Sequence, residues 1–237
     1  MGYQVNGKYI ISKFVIVLLL IFNGISHTIP SSASEDVPKV KEQIQSAVVK
    51  IIVYGNDKMG ILSGAVVHSS GIILTSFFGD EGEYTVEFTN GLKTPATIIA
   101  KDDVFQLATL QIEQPILSAV PIAKEKVIVG EKVYASGFIS SSFSRIPDEF
   151  VVTEGRIKNV QYEIPGMVHK KPGLHISTDI DIEMAMNLLF NSKGELVSVT
   201  GMKKVTIDNQ KNEHPLSIFY PLTNISDVLL EKLIKGK

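Results

Sequence analysis

Downstream of residue 46 the apolar residues come in short runs rich in valine and isoleucine instead of recurring at helical spacing. Such runs occupy 47–54, 63–68, 72–75, 84–88, 96–100 and 107–112. Runs of this length and composition, bounded by turn residues, predict β-strands. Their separators are Gly55-Asn56-Asp57, Ser69-Ser70-Gly71, Asn90-Gly91 and Lys101-Asp102-Asp103. Asn90-Gly91 predicts a tight primed hairpin turn, in which both central residues take positive φ. A second series covers 127–137, 150–157, 173–178, 188–190, 195–202, 204–207 and 216–220, with Asn191-Ser192-Lys193-Gly194 as a further turn. The chain therefore reads as two successive six-strand sets joined near 121–126. Strands at this spacing, with few helical windows between them, predict an all-β protein of sandwich or barrel type.

Only the tail has helical periodicity. Over 226–234, Val228, Leu229, Leu230, Leu233 and Ile234 fall toward one side, and Asn224 or Ser226 is placed to cap the start. Residues 34–45, ahead of the first strand set, read as a polar lead-in.

Residues 1–33 follow another pattern. Lys8 and Lys13 are their only charges, and both precede the apolar run 14–22, which ends at Asn23-Gly24. Basic residues before a short apolar run, followed by small residues at Ser31-Ser32-Ala33, predict an export signal cleaved after Ala33. An uncleaved anchor over 9–25 is the rival, a span interrupted by Ser12 and Lys13 and at the short end of the roughly 17 to 25 residues that cross a bilayer. The protein is accordingly expected to be exported, periplasmic or extracellular, and to meet the membrane only through this segment if it is retained.

Composition narrows the chemistry. Hydrophobic residues make up 44% of the 237 and charged residues 20%, the balance of a packed core and not of a disordered chain. The net charge is -2; loss of residues 1–33 removes two of the 23 basic groups and no acid, leaving 21 against 25. That balance excludes a strongly basic nucleic-acid binder, and no nucleic-acid partner is expected. The absence of cysteine excludes disulfide frameworks, thiolate zinc sites, iron–sulfur clusters and cysteine nucleophiles. Packing has to stabilise the fold, over a first β domain at 46–123 and a second, with the closing helix, at 124–237.

Several short motifs in order make the reading more specific. Ser63-Gly64-Ala65-Val66-Val67 followed by Gly71-Ile72-Ile73-Leu74-Thr75 is similar to an S-G-[VA]-[IV]-[IV] strand and a G-x-[IV]-L-T-N-x-H strand. Asp102-Asp103 running into Leu107-Ala108-Thr109-Leu110 is similar to D-x-x-x-D-L-A-[VL]-L, and Val129-Gly130-Glu131-Lys132-Val133 to V-G-[ED]-x-V. Val152-Thr153-Glu154-Gly155, Ile176-Ser177-Thr178-Asp179, Gly194-Glu195-Leu196-Val197 and Ser217-Ile218-Phe219-Tyr220-Pro221 continue the series. Over 47–235 the chain resembles the chymotrypsin-like serine proteases, and among them the bacterial HtrA (DegP-like) branch. The resemblance implies two six-stranded antiparallel β-barrels with a C-terminal helix, a functional groove between the barrels, no cofactor, and polypeptides or a homologous protease as partners. With the chain given ending at Lys237, no PDZ module is expected after the helix.

The catalytic chemistry does not follow the scaffold. Acyl transfer needs an imidazole to take the serine proton, a carboxylate to orient it, and a serine on a glycine-rich turn whose N–H groups hold the oxyanion. The histidine position of the motif is Phe78, and the nearest histidine is His68 in the preceding strand. The aspartate position is Gln106. In place of G-N-S-G-G-P the chain carries 180–190, without Ser, Gly or Pro, and Ala185 falls near the serine position. Bulky residues disfavour the positive φ that such a turn requires, so the oxyanion hole is expected to be closed or refilled. Phe77-Phe78 is expected to pack into the vacated space. Loss of base, orienter, nucleophile and hole together predicts a noncatalytic, protein-binding or regulatory module; a divergent serine endopeptidase is the alternative.

Three other features carry weaker chemistry. His175, Ser177, Asp179, Asp181 and Glu183 alternate with apolar residues, so a continuous strand would place an imidazole and three carboxylates on one face. A half-exposed strand is the plain reading, and a metal site using His175, Asp179, Asp181 and Glu183 is the sharper one. His169-Lys170-Lys171 reads as a solvated basic loop or an anion site, and 140–144 as a flexible loop placed to bind.

Overall fold

Strands form where the β-branched runs predict them. In the computed structural model, residues 36–55, 59–77, 82–113, 118–139, 149–162, 175–182, 187–207 and 213–235 are described. The expected export segment and the loops at 140–144 and 169–171 lie outside them. The first set consists of β1 (Val48–Tyr54), β2 (Met59–His68), β3 (Ile72–Ser76), β4 (Glu83–Phe88), β5 (Lys93–Asp102) and β6 (Leu107–Gln111), which close an antiparallel barrel in the order β1-β2-β3-β6-β5-β4. The second set consists of β7 (Lys132–Ile139), β8 (Glu149–Tyr162), β9 (His175–Thr178), β10 (Leu188–Asn191), β11 (Leu196–Ser198), β12 (Gly201–Ile207) and β13 (Glu213–Phe219). These pair as a sheet in the order β11-β10-β7-β8-β9-β13-β12.

The second sheet thus has seven strands, as many as the runs of the second series, where two six-strand sets were expected. The run 195–202 divides because Ser198 Oγ donates to the Thr200 carbonyl (2.9 Å) and accepts the Thr200 N–H (3.1 Å). This local hydrogen bonding turns the chain out of β11 before β12 begins. The hairpin at Asn90-Gly91 forms where expected but with a different turn. Gly91 N–H donates to the Phe88 carbonyl (2.9 Å) and the Asn90 side chain accepts the Leu92 N–H (3.0 Å), while only Gly91 takes positive φ, at 86°. One left-handed glycine after an ordinary turn replaces the primed pair.

Residues 36–47 correct the sequence reading more strongly, since the supposed lead-in is a helix, α1 (Asp36–Ala47). Val40, Ile44 and Ala47 recur at helical spacing and are buried. Three apolar positions among polar ones are a thin periodic signal, and an isolated helix of this length is marginal in water. Burial of those side chains stabilises it. The closing helix, α2 (Asp227–Lys235), forms as expected and is capped by Ser226, whose Oγ accepts the Leu229 N–H (3.3 Å). Leu233 is buried and Leu229 and Leu230 half-buried, but Val228 is 79% exposed and lies off the packed side.

Three apolar cores result. One fills the barrel with Val49, Ile51, Ile73, Val86 and Leu110; one backs the second sheet with Val133, Ile176, Leu189 and Phe219. The third lies between barrel and sheet and gathers α1, α2 and residues of both, including Leu74, Tyr134, Phe138, Phe190 and Tyr220. Each large side chain buried there contributes about 1.5–3 kcal/mol, so apolar packing supplies stability at the seam between the two β units.

Candidate functional site

The seam is where the family resemblance places the three motif positions Phe78, Gln106 and Ala185. Phe78 and Ala185 lie outside the described residues, as does Glu183. Their neighbours are described and define the geometry. β3 ends at Ser76 and leads into Phe77, which is buried. The Phe77 N–H donates to the carbonyl of Gln106 (2.9 Å), so the turn ahead of β6 is tied to the end of β3 through main chain. Gln106 itself is exposed and sits at φ 52°, the left-handed region that a side chain with a Cβ disfavours. Such a position costs about 1–3 kcal/mol and persists only where its surroundings hold it. Here the holders are the Phe77 bond and the Asp102 carboxylate, which accepts the Phe105 N–H (2.8 Å). The acid in this turn supports the backbone; no imidazole stands beside it among the described residues.

On the opposite side of the seam, Asn187 opens β10. It is 8% exposed, and its Nδ2 donates both to Ser76 Oγ (2.7 Å) and to the Val199 carbonyl (2.9 Å). The carbonyl accepts only, which fixes the amide orientation, and leaves Asn187 Oδ1 buried without a hydrogen-bond partner among the described residues. Ser136 Oγ in β7 is likewise buried and unpartnered. A second tie crosses the seam where Ser63 Oγ in β2 accepts the Phe138 N–H of β7 (2.9 Å). Asn187 was not singled out from sequence; a lone polar residue directly before Leu188-Leu189-Phe190 was the available signal.

A buried ion-pair network reaches the seam. The buried Lys50 in β1 pairs with Glu87 in β4 (2.8 Å), and Lys93 reaches the same oxygen (3.4 Å). Burial pushes the Glu87 carboxyl up, but its bonds with Lys50 and Lys93 outweigh this and hold it below the usual carboxylate range. Lys50 Nζ also lies 5.8 Å from the Phe138 ring centroid. The network pairs adjacent strands, Lys50 of β1 standing directly opposite Glu87 of β4.

The alternating acidic face does not form. β9 ends at Thr178, and His175, Ile176, Ser177 and Thr178 are all buried, so the strand is covered on both faces and not half-exposed. His175 stacks edge-on against Tyr220 at 5.4 Å between centroids, and Tyr220 meets Phe105 at 5.8 Å. This aromatic column underpins the Gln106 turn, and burial pushes the Tyr220 hydroxyl up to about 12. Beyond the strand end, Asp179 accepts the Arg156 N–H (2.6 Å) and pairs with Lys158 (2.8 Å). Burial raises its carboxyl, and these contacts more than offset that, leaving it lowered. Asp181 is exposed, and among the described residues no group of three His, Asp or Glu side chains stands together to hold an ion. The four proposed ligands are therefore not brought together where they are described. His68 is spent locally: its Nδ1 accepts the Ser70 N–H (3.1 Å) in an exposed turn.

Comparison with known proteins agrees with this geometry. A family model described as a trypsin-like peptidase domain matches residues 62–199. No curated protein matches by sequence. By structure, 529 solved chains match, a breadth that identifies a scaffold and not an activity. One is the HtrA-type protease AlgW with tripeptide, at TM-score 0.66 and 17% identity; another is a serine-to-alanine form of that protease with tripeptide, at TM-score 0.65 and 18% identity. Each alignment covers 84% of this chain and 64% of the other, so the chain spans less than two thirds of the length of those proteins.

Proposed function

Starting from the fact that this chain belongs to the trypsin-like peptidase domain family, we propose that it is a noncatalytic, exported member that binds polypeptides or assembles with an active homologous protease. The observation that supports this best is the chemistry of the seam. The polar side chain beside the vanished nucleophile position is an amide, Asn187, which gives its protons to Ser76 and to the Val199 carbonyl. An amide does not take a proton from a serine, and Phe78, Gln106 and Ala185 supply neither base, carboxylate nor nucleophile. The retained backbone tie between Phe77 and Gln106 keeps the scaffold while the reactive groups are gone.

Fluorophosphonate labelling together with casein turnover tests the reading. Neither labelling nor turnover is expected; serine-dependent labelling with hydrolysis would establish a divergent endopeptidase instead. Export follows from residues 1–33, through cleavage after Ala33 or retention of 9–25 as an anchor. N-terminal sequencing of the mature protein decides between them: a start at Ser34 supports cleavage, and retention of residues 1–33 supports the anchor.

A further inference from the structure

The barrel is closed, yet its strands are unequal where β4 meets β5. β4 pairs with β5 from Tyr84↔Ala96 to Glu87↔Lys93, and β5 then continues through Asp102 in ladder pairing with β6, with helix α2 packed nearby. Among the described residues no ladder partner covers the other side of β5 beyond Ala96. A cavity of about 540 Å³ occupies this notch. Its lining includes Tyr84, Ala96 and Ile98, which are partly buried against the barrel core, together with Phe77, Glu83, Thr97 and Lys101.

Three properties define what fits. An unpaired strand edge offers N–H and C=O groups that take an extended chain by main-chain pairing. The overhang of β5 is about 15–20 Å long at ~3.3 Å per residue, which matches a segment of roughly five or six residues. Alternate side chains of such a segment face one way, so every second one would meet Tyr84 and Ile98 and has to be apolar. At the far end, Lys101 Nζ sits 5.1 Å from the Phe77 ring centroid and pairs with no carboxylate among the described residues. A cation held there complements an acidic group.

We propose that the notch between β4 and β5 binds an extended polypeptide segment as an added strand along residues 97–101, apolar at alternate positions and acidic where it reaches Lys101. This rests on the polypeptide-binding reading above and places the binding surface on the barrel, outside the seam.

Fluorescence anisotropy on the full chain, with a labelled hexapeptide of alternating valine and threonine ending in aspartate, tests it. Saturable binding is expected, weakened at least tenfold by Lys101→Glu or Lys101→Met and by asparagine in place of the peptide's aspartate. N-methylation of alternate peptide amides should abolish it, because strand pairing is lost while the side chains remain. Both variants should keep the wild-type far-ultraviolet circular dichroism, Lys101 being exposed. Failure of the wild-type protein to bind, or binding indifferent to Lys101 or to N-methylation, overturns the site. Casein turnover would instead remove the noncatalytic reading, so the two failures are told apart.

Discussion

The barrel interior and the seam are built on opposite principles. The barrel core is apolar throughout, with Ile51, Ile73, Val86 and Leu110 fully buried and no charged group among them. The seam, equally buried, carries Ser63, Ser76, Ser136, Asn187 and Lys50. An apolar core draws its stability from area and close packing, tolerates change in proportion to the volume altered, and specifies little beyond shape. Buried polar groups contribute modestly when bonded and cost heavily when orphaned, so they fix one relative placement of the elements that carry them. The difference teaches where this fold keeps its specificity. The polar groups of this interface tie two β units together, and among the described residues Asn187 Oδ1 and Ser136 Oγ have no hydrogen-bond partner.

Mutations graded across the two regions sharpen the contrast. The largest effect belongs to the barrel: Ile73→Ala leaves a cavity in a packed interior and should cost about 2–5 kcal/mol, read as a lower urea midpoint at unchanged slope. Asn187→Ala comes next, since it orphans Ser76 Oγ and the Val199 carbonyl; about 1–3 kcal/mol is expected. An Asn187→Ala loss equal to that of Ile73→Ala would break the distinction. Ser63→Ala removes one acceptor from the Phe138 N–H and should cost about 1 kcal/mol.

The smallest signal is a change in pH response. The Glu87 carboxyl is held below its ordinary value of 4.5 by Lys50 and Lys93 against the opposing effect of burial. Its contribution is therefore present above that value and is lost as pH falls through the folded value. Lys50→Met should make the loss of stability between pH 7 and about pH 3 shallower than in the wild-type protein, by comparison of urea midpoints at the two pH values. An unchanged acid limb would mean that the pair does not contribute.

Much of the strand order was legible because β-branched runs and turn residues are local signals. What was misread had a tertiary cause. Helix α1 has only Val40, Ile44 and Ala47 as an apolar stripe, and it is the third core that makes that stripe sufficient. The alternation from His175 onward looked amphipathic, yet β9 lies between β8 and β13 with Phe105 and Tyr220 beyond, so its polar residues are buried with the apolar ones. Val228 sits in a helical pattern but on the wrong side of the packed face. Of the candidate site, sequence supplied the positions that lack chemistry, through the absence of His, Asp and Ser from three motif columns. It did not supply Asn187, because a single asparagine carries no periodicity.

By itself, then, the sequence determined most of the strand order and the closing helix with its Ser226 cap, since each depends on residue type and on neighbours a few positions away. Only the tertiary structure decided that Asn187 meets Ser76 across 111 positions of chain, that Glu87 pairs with a buried Lys50, and that β5 outruns β4, with no ladder partner beyond Ala96 among the described residues. Those outcomes turn on distance and burial between segments far apart in the chain, and the hydrophobic effect that brings such segments together acts on area without regard to which polar groups it carries along.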